Sequence, residues 1–186
     1  MKKCILLFLF ILFLSGCNNT NDVPDKFLNI RQKALNCDYC QFDAAVTIDY
    51  GDATYSFSVA CKTDVNNNMN ISVIKPELIS GVHAKISGGS GKIVFDEEAI
   101  AFQTIANDQI APICIPWLLM KSLYGGYISS YGSGNNLNFV RIDDNFNQTE
   151  YSVELWLDEA NIPSEAEILW DGKRIASLTI DNFVLV

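Results

Sequence analysis

The chain has 186 residues and a formal charge of −9 at neutral pH, with 49% hydrophobic and 19% charged residues. This composition excludes a disordered chain, and the length suits one domain with a sizeable core. The acidic balance disfavours both nucleic acid and adsorption to anionic lipid, with no basic patch to neutralise phosphates.

Met1 to Gly16 has the three parts of an export signal. Lys2 and Lys3 form a basic end, Ile5 to Leu14 is an unbroken run of Ile, Leu and Phe, and the small Ser15 and Gly16 precede Cys17. The run falls short of the roughly 20 residues that a spanning helix needs, so it reads as a signal core. Leu14-Ser15-Gly16-Cys17 resembles the lipobox of bacterial lipoproteins. The resemblance implies cleavage before Cys17 and a thioether-linked diacylglycerol on its sulfur. The plainer alternative is an ordinary secretory signal beside an unrelated cysteine, but all four positions fit and the apolar run ends where a lipobox begins. Two acyl chains hold stably where one holds marginally, at about 0.8 kcal/mol per buried CH₂. Residues 1–16 are therefore expected as signal peptide, 17–25 as lipidated cysteine and polar tether, and 26–186 as one domain. Its place would be the extracytoplasmic face of the cell membrane. Without Lys2 and Lys3 the chain keeps 11 basic against 22 acidic residues, a charge of −11, so membrane contact is expected through the lipid alone.

Asp25 to Asn36 predicts a helix, with Asp25 as cap and Phe27, Ile30, Ala34 and Leu35 on one face. Period-two alternation follows, with Phe42, Ala44, Val46 and Ile48 on one strand and Tyr55, Phe57, Val59 and Cys61 on the next. A two-residue Gly51-Asp52 loop sets Ile48 opposite Tyr55, Val46 opposite Phe57, Ala44 opposite Val59 and Phe42 opposite Cys61, so apolar meets apolar throughout. Strands at Met69 to Val73 and Val82 to Ile86 extend the meander, and a pair carrying Ile93 and Phe95, then Ile100 and Phe102, follows. Between Pro112 and Tyr124 the apolar spacing turns helical, closed by Gly125-Gly126. Alternation returns over Leu137 to Ile142, Tyr151 to Leu157, Ala166 to Trp170 and Ile175 to Ile180, with an Asp171-Gly172 turn between the last two. The fold class is mainly β with helices (α+β): a long antiparallel meander making one curved sheet, covered by an N-terminal and a mid-chain helix. Two helices cover its apolar face incompletely, which leaves room for a cavity.

With Cys4 removed and Cys17 lipidated, Cys37, Cys40, Cys61 and Cys114 remain. Cys37-Asp38-Tyr39-Cys40 has the spacing of a redox pair or half a zinc site. Zinc would want a second pair or histidines, and His83 is the sole histidine; a redox pair would want a βαβ context. A structural bridge suits an exported chain better, and the register makes Cys40 and Cys61 diagonal neighbours on one face, nominally about 7–8 Å apart. Cys114 reads as a buried thiol. His83 falls on a polar face, and no second histidine supports a His-based triad. Glu97-Glu98, Asp143-Asp144 and Asp158-Glu159 read as solvated turns without calcium-loop spacing. No constellation makes an enzyme site, and no cofactor is expected beyond the acyl lipid on Cys17. The mid-chain helix is apolar on nearly all sides except Lys121 and Ser122. It is either a core helix plugging the sheet or the wall of an apolar pocket formed by Trp117, Leu118, Met120 and Tyr124. Trp156 shares parity with Glu150, Ser152 and Glu154, which makes it a candidate contact surface.

The step Pro76-Glu77-Leu78-Ile79-Ser80-Gly81-Val82, the paired strands from Gly91 to Phe102, and the ending Trp156-Leu157-Asp158 through Ile162-Pro163 to Asp171-Gly172-Lys173-Arg174 resemble the lipoprotein-carrier fold of LolA and LolB and the related GerS group of germination lipoproteins. The resemblance covers most of Lys26 to Val186 at the level of pattern. It implies an incomplete β-barrel closed by helices around an apolar cavity, and a non-enzymatic binding role. By analogy with the GerS group the partner would be an envelope enzyme such as a cortex amidase. A carrier of the LolA kind must cross the periplasm, which a chain anchored at Cys17 does not do. The expectation is a membrane-tethered module holding a protein partner or apolar ligand, with a LolB-like acceptor of lipid or lipoprotein acyl chains as the alternative. A cavity walled by Trp117 would favour the acceptor; a filled core with Trp156 outside would favour a protein partner.

Overall fold

The structure, a computed structural model, describes residues 22–106, 109–134 and 137–186. The signal, Cys17 and most of the expected tether lie outside the described residues.

In chain order the elements are helix α1 (Val23–Asn36), strands β1 (Cys40–Asp49), β2 (Thr54–Thr63), β3 (Met69–Lys75), β4 (His83–Ser87), β5 (Ser90–Phe95) and β6 (Glu98–Gln103). A short hairpin of β7 (Ile105–Ala106) and β8 (Gln109–Ile110) leads to helix α2 (Ile115–Gly125). The chain ends with β9 (Tyr127–Gly134), β10 (Leu137–Phe146), β11 (Thr149–Leu157), β12 (Pro163–Trp170) and β13 (Lys173–Leu185). Eleven strands form one antiparallel sheet in the order β6-β5-β4-β3-β2-β1-β13-β12-β11-β10-β9. The two ends do not pair, so the barrel is incomplete, as expected. What joins the early meander to the late one is β13, which pairs with β1 through Val46 opposite Leu178 and Ala44 opposite Ile180.

The β1–β2 hairpin has the predicted register, with Ile48 opposite Tyr55 and Phe42 opposite Cys61. The Tyr50 N–H donates to the Ala53 carbonyl at 3.0 Å, and Gly51 takes a φ of +90° in the loop. A side chain there would strain the backbone, which is why the two-residue turn calls for glycine. Residues of matching parity on β1, β3, β10, β11, β12 and β13 supply one continuous core, including Ile48, Ile71, Ile142, Val153, Leu155 and Ile168.

Both helices lie on this inner face. Helix α1 starts two residues before the predicted position, with Pro24 in its first turn, because Val23 is itself buried. The proposed tether is shortened accordingly. Leu35, placed by periodicity on the buried face, is 45% exposed, while Phe27, Ile30 and Ala34 are buried. Helix α2 has too little polar surface to face water and is buried from Ile115 to Leu123 apart from the half-buried Lys121. Asp143 and Asp144, read from sequence as a turn, lie within β10.

Candidate functional site

The predicted pocket wall is in the core. Trp117, Leu118 and Met120 are 3%, 1% and 0% exposed, and Tyr124 is partly buried against the same cluster. The Trp117 indole N–H donates to the Asn67 carbonyl at 2.8 Å, in the turn between β2 and β3. Its ring meets Phe146 edge-on at 5.2 Å between centroids. One open cleft of about 970 Å³ runs past Asp143, Glu150, Tyr151 and Asp171, and another of about 670 Å³ lies between α1 and Phe183 to Leu185. Neither these nor the smaller clefts described take a wall from Trp117, Leu118, Met120 or Tyr124. Among the described residues these four side chains therefore pack in the core of the sheet and line none of these clefts.

Polar groups lock α2 in place. Arg31 on α1 donates from Nε to the Leu123 carbonyl at 2.7 Å, and from Nη2 to the carbonyls of Gly126 at 2.8 Å and Ser122 at 3.2 Å. These are carbonyls that a helix leaves unpaired at its C-terminus, and a guanidinium fork meets several at once. Burial lowers the Arg31 pKa, and the nearby Asp144 charge opposes that shift. Asp144 accepts from Lys121 Nζ at 2.7 Å, Ser122 Oγ at 3.1 Å and Tyr151 OH at 3.0 Å. The two polar residues of α2 are thus the ones facing the inward carboxylate of β10. Burial pushes the Tyr151 phenol up. Two buried side-chain atoms, Tyr124 OH and Asn67 Nδ2, have no hydrogen-bond partner among the described residues.

Trp156 stands on the outer face, half-buried. It lies opposite Phe139 on β10 and Glu165 on β12, with ring centroids of Trp156 and Phe139 6.2 Å apart. Phe139 in turn covers Gly132 on β9, where a Cβ would come within 2.7 Å of the ring. The strip Gly132, Phe139, Trp156, Glu165 crosses four strands at one end of the sheet.

Cys40 and Cys61 occupy the expected diagonal on the inner face, since Cys40 faces Thr63 and Cys61 faces Phe42. Both are free thiols in the structure, as are Cys37 and Cys114, so the anticipated bridge is not formed here. Burial pushes the Cys40 and Cys114 thiols up to about 12 and Cys61 well above its ordinary value. Exposed His83 shares a 2.9 Å hydrogen bond with Ser72 Oγ across β3 and β4. Among the described residues no group of His, Cys, Asp and Glu is arranged to hold a metal ion, and no helix is long and apolar enough to cross a membrane.

Composition concealed one arrangement. The sheet register sets Lys62, Asn70, Lys85, Lys92 and Ala101 side by side on the outer face of β2 to β6. The absence of a basic run in the sequence is thus no guide to the surface, because the lysines meet only through strand pairing.

Among solved structures, the chain is similar to an uncharacterized conserved protein from Thermus thermophilus, at a TM-score of 0.48 and 10% identity over 88% of this chain and 87% of that one. It is similar to a LolA superfamily protein from Nitrosomonas europaea, at 0.44 and 14% over 86% and 93%. It is also similar to a chain of the complex between the CwlD amidase and the GerS lipoprotein of Clostridioides difficile, at 0.42 and 9% over 92% and 99%. No family model and no curated protein matches the chain. The described residues form an open antiparallel sheet with two helices, and a LolA superfamily protein and a chain of the GerS complex are among its structural matches at low identity.

Proposed function

We propose that this protein is a non-enzymatic binding lipoprotein, tethered through lipid on Cys17 at the extracytoplasmic face of the membrane, that holds a protein partner on the outside of its sheet. The observation that carries this reading is the filled interior. With Trp117, Leu118 and Met120 at 3% exposure or less, the space an acyl chain would need is occupied by side chains. Phe139 and Trp156, by contrast, form an aromatic pair on the outer face, where large rings without deep burial suit a partner's contact. An envelope or spore-cortex enzyme is the partner that resemblance to the GerS group implies. The LolB-like acceptor reading requires α2 to leave the sheet, breaking the Arg31 and Asp144 hydrogen bonds that hold it. The absence of catalysis is part of the proposal: His83 and Ser72 sit on an open strand face, with no third group in hydrogen-bond contact with the imidazole among the described residues.

The test is recovery of the anchored protein from its own envelope, with mass spectrometry of co-purified proteins and extracted lipids. A protein partner should co-purify with the native chain and be lost with Trp156→Ala, while the thermal melt is unchanged. Recovery of acyl lipid in place of a protein would overturn the reading in favour of the acceptor. Recovery of neither would overturn both.

A further inference from the structure

We propose that the outer face of β2 to β6 is a docking surface for the anionic headgroups of the membrane to which the protein is tethered. Lys62, Asn70, Lys85 and Lys92 lie in one transverse row, and Lys75 shares the face opposite Ser58. With strands about 4.8 Å apart, the row from Lys62 to Lys92 covers roughly 14 Å. Lys85 and Lys92 are directly opposite each other. Like charges so placed destabilise a sheet unless something outside neutralises them.

No ion pair among the described residues does so. The ion pairs use Lys26, Lys121, Arg141 and Arg174, whereas Lys75, Lys85 and Lys92 make none among the described residues. Lys62 Nζ lies 3.5 Å from the centre of the Tyr39 ring, a contact that does not neutralise its charge, and Asp43 borders the same cleft as Lys62. By register, the strand positions of β2 to β6 on this face include no Asp or Glu. They carry Thr54, Ser56, Ser58, Ala60, Asn70, Ser72, His83, Ser87, Ser90, Val94, Ala99, Ala101 and Gln103 besides the lysines.

The overall acidity of the chain does not oppose this docking at close range. Fields are screened over about 8–10 Å at physiological salt, so a surface responds to the charges nearest it. The carboxylates Asp143, Glu150 and Asp171 line a cleft among the β10 to β13 strands, on the other wing of the sheet, whereas Asp43 on β1 and Asp181 on β13 adjoin only the Lys62 end of the row. A lipid surface fits better than an acidic protein segment because the face is open and broad and mixes lysines with small apolar side chains. Val94, 39% exposed, stands in it with Ala99 and Ala101. Lysine stems lie along such a surface while their ammonium groups reach phosphates. The inference rests on the Cys17 tether for its place in the envelope, while the attraction itself comes from the lysines and is measurable on the untethered chain at low salt.

The test removes the tether so that the two readings fail separately. The chain without its signal, carrying Cys17→Ser, is sedimented with vesicles of phosphatidylcholine alone or mixed with phosphatidylglycerol, at low and high salt. Binding is expected only to the mixed vesicles, and high salt should abolish it. Lys85→Ala/Lys92→Ala should bind about 25-fold more weakly, from roughly fivefold for each lysine at an anionic surface. Lys85→Gln/Lys92→Gln should do the same, and circular dichroism melts verify that each variant is folded. Absence of binding to mixed vesicles, equal binding to both kinds, or undiminished binding by a folded variant would overturn the proposal. So would lysine-dependent capture of an acidic polypeptide without vesicle binding, in favour of a protein occupant. Because no acyl chain is present, none of these outcomes depends on whether Cys17 is lipidated.

Discussion

Replacing Trp117 with alanine separates a core residue from a pocket wall. In the core, the indole keeps about 200 Å² of ring surface from water, and at about 25 cal/mol per Å² that is worth about 5 kcal/mol. Truncations of this kind cost about 3–5 kcal/mol once partial collapse is allowed. The variant also leaves the Asn67 carbonyl without the donor that now reaches it at 2.8 Å, a cost of about 1 kcal/mol that falls inside this range. The total is a large part of the roughly 5–15 kcal/mol that holds a domain folded. At about 2–4 °C per kcal/mol, the melting midpoint should fall by roughly 6–20 °C. Urea unfolding followed by circular dichroism measures the free energy, and an apolar fluorescent dye reports whether an open cavity exists. Trp117→Phe should lose far less, since it keeps a ring beside Phe146. A loss below about 1 kcal/mol in Trp117→Ala, joined to reduced dye binding relative to the native chain, would refute the filled interior.

Three other variants probe separate features. Arg31→Met should cost about 2–3 kcal/mol in the same unfolding assay, because three carbonyls at the end of α2 lose a charged donor; Arg31→Lys should recover only part of it, lacking the fork. At Asp64, slight burial pushes the carboxyl up, but hydrogen bonds from the Asn68 side chain and the backbone N–H groups of Asn68 and Asn66 outweigh it and leave the pKa lowered. A depressed folded pKa gives stability that is present above the ordinary carboxylate range and lost as pH falls through the folded value. Asp64→Ala should therefore lower the melting midpoint at pH 7 and leave it nearly unchanged near pH 2; an equal deficit at both would contradict the linkage. For the cysteines, a thiol reagent at mildly alkaline pH should reach only the half-exposed Cys37 in the reduced, folded protein, since burial holds the other three protonated. We propose the Cys40–Cys61 bridge for the exported chain, which predicts two titratable thiols after unfolding without reductant; four would rule it out.

What was legible in the sequence depended on whether the signal was local. The β1–β2 register could be read because both strands alternate cleanly and a two-residue loop fixes their alignment. The buried face of α1 was legible at Phe27, Ile30 and Ala34 but misleading at Leu35, where the helix turns past its cover. Strand β9 was missed because Tyr127 to Gly134 is mostly Tyr, Ser and Gly, a composition without alternation, and its pairing comes from β10 alone. Asp143-Asp144 looked like a turn, yet Lys121 and Ser122 descend from α2 to satisfy Asp144 inside the sheet. That is a tertiary contact no local pattern encodes. The choice between plugging helix and pocket wall also required the structure, since an all-round apolar helix suits both. The lysine row is the plainest case: residues 62, 85 and 92 are far apart in the chain, and only strand pairing brings them together.

The claim on which the account most depends is that the chain is held to the membrane through Cys17. Metabolic labelling with a palmitate analogue measures it directly, with the protein recovered from the envelope and the label read on the chain. The native chain should carry the label and Cys17→Ala should carry none, accumulating with its signal uncleaved. Label persisting in Cys17→Ala, or absent from the native chain, would contradict the tether and the docking geometry that rests on it.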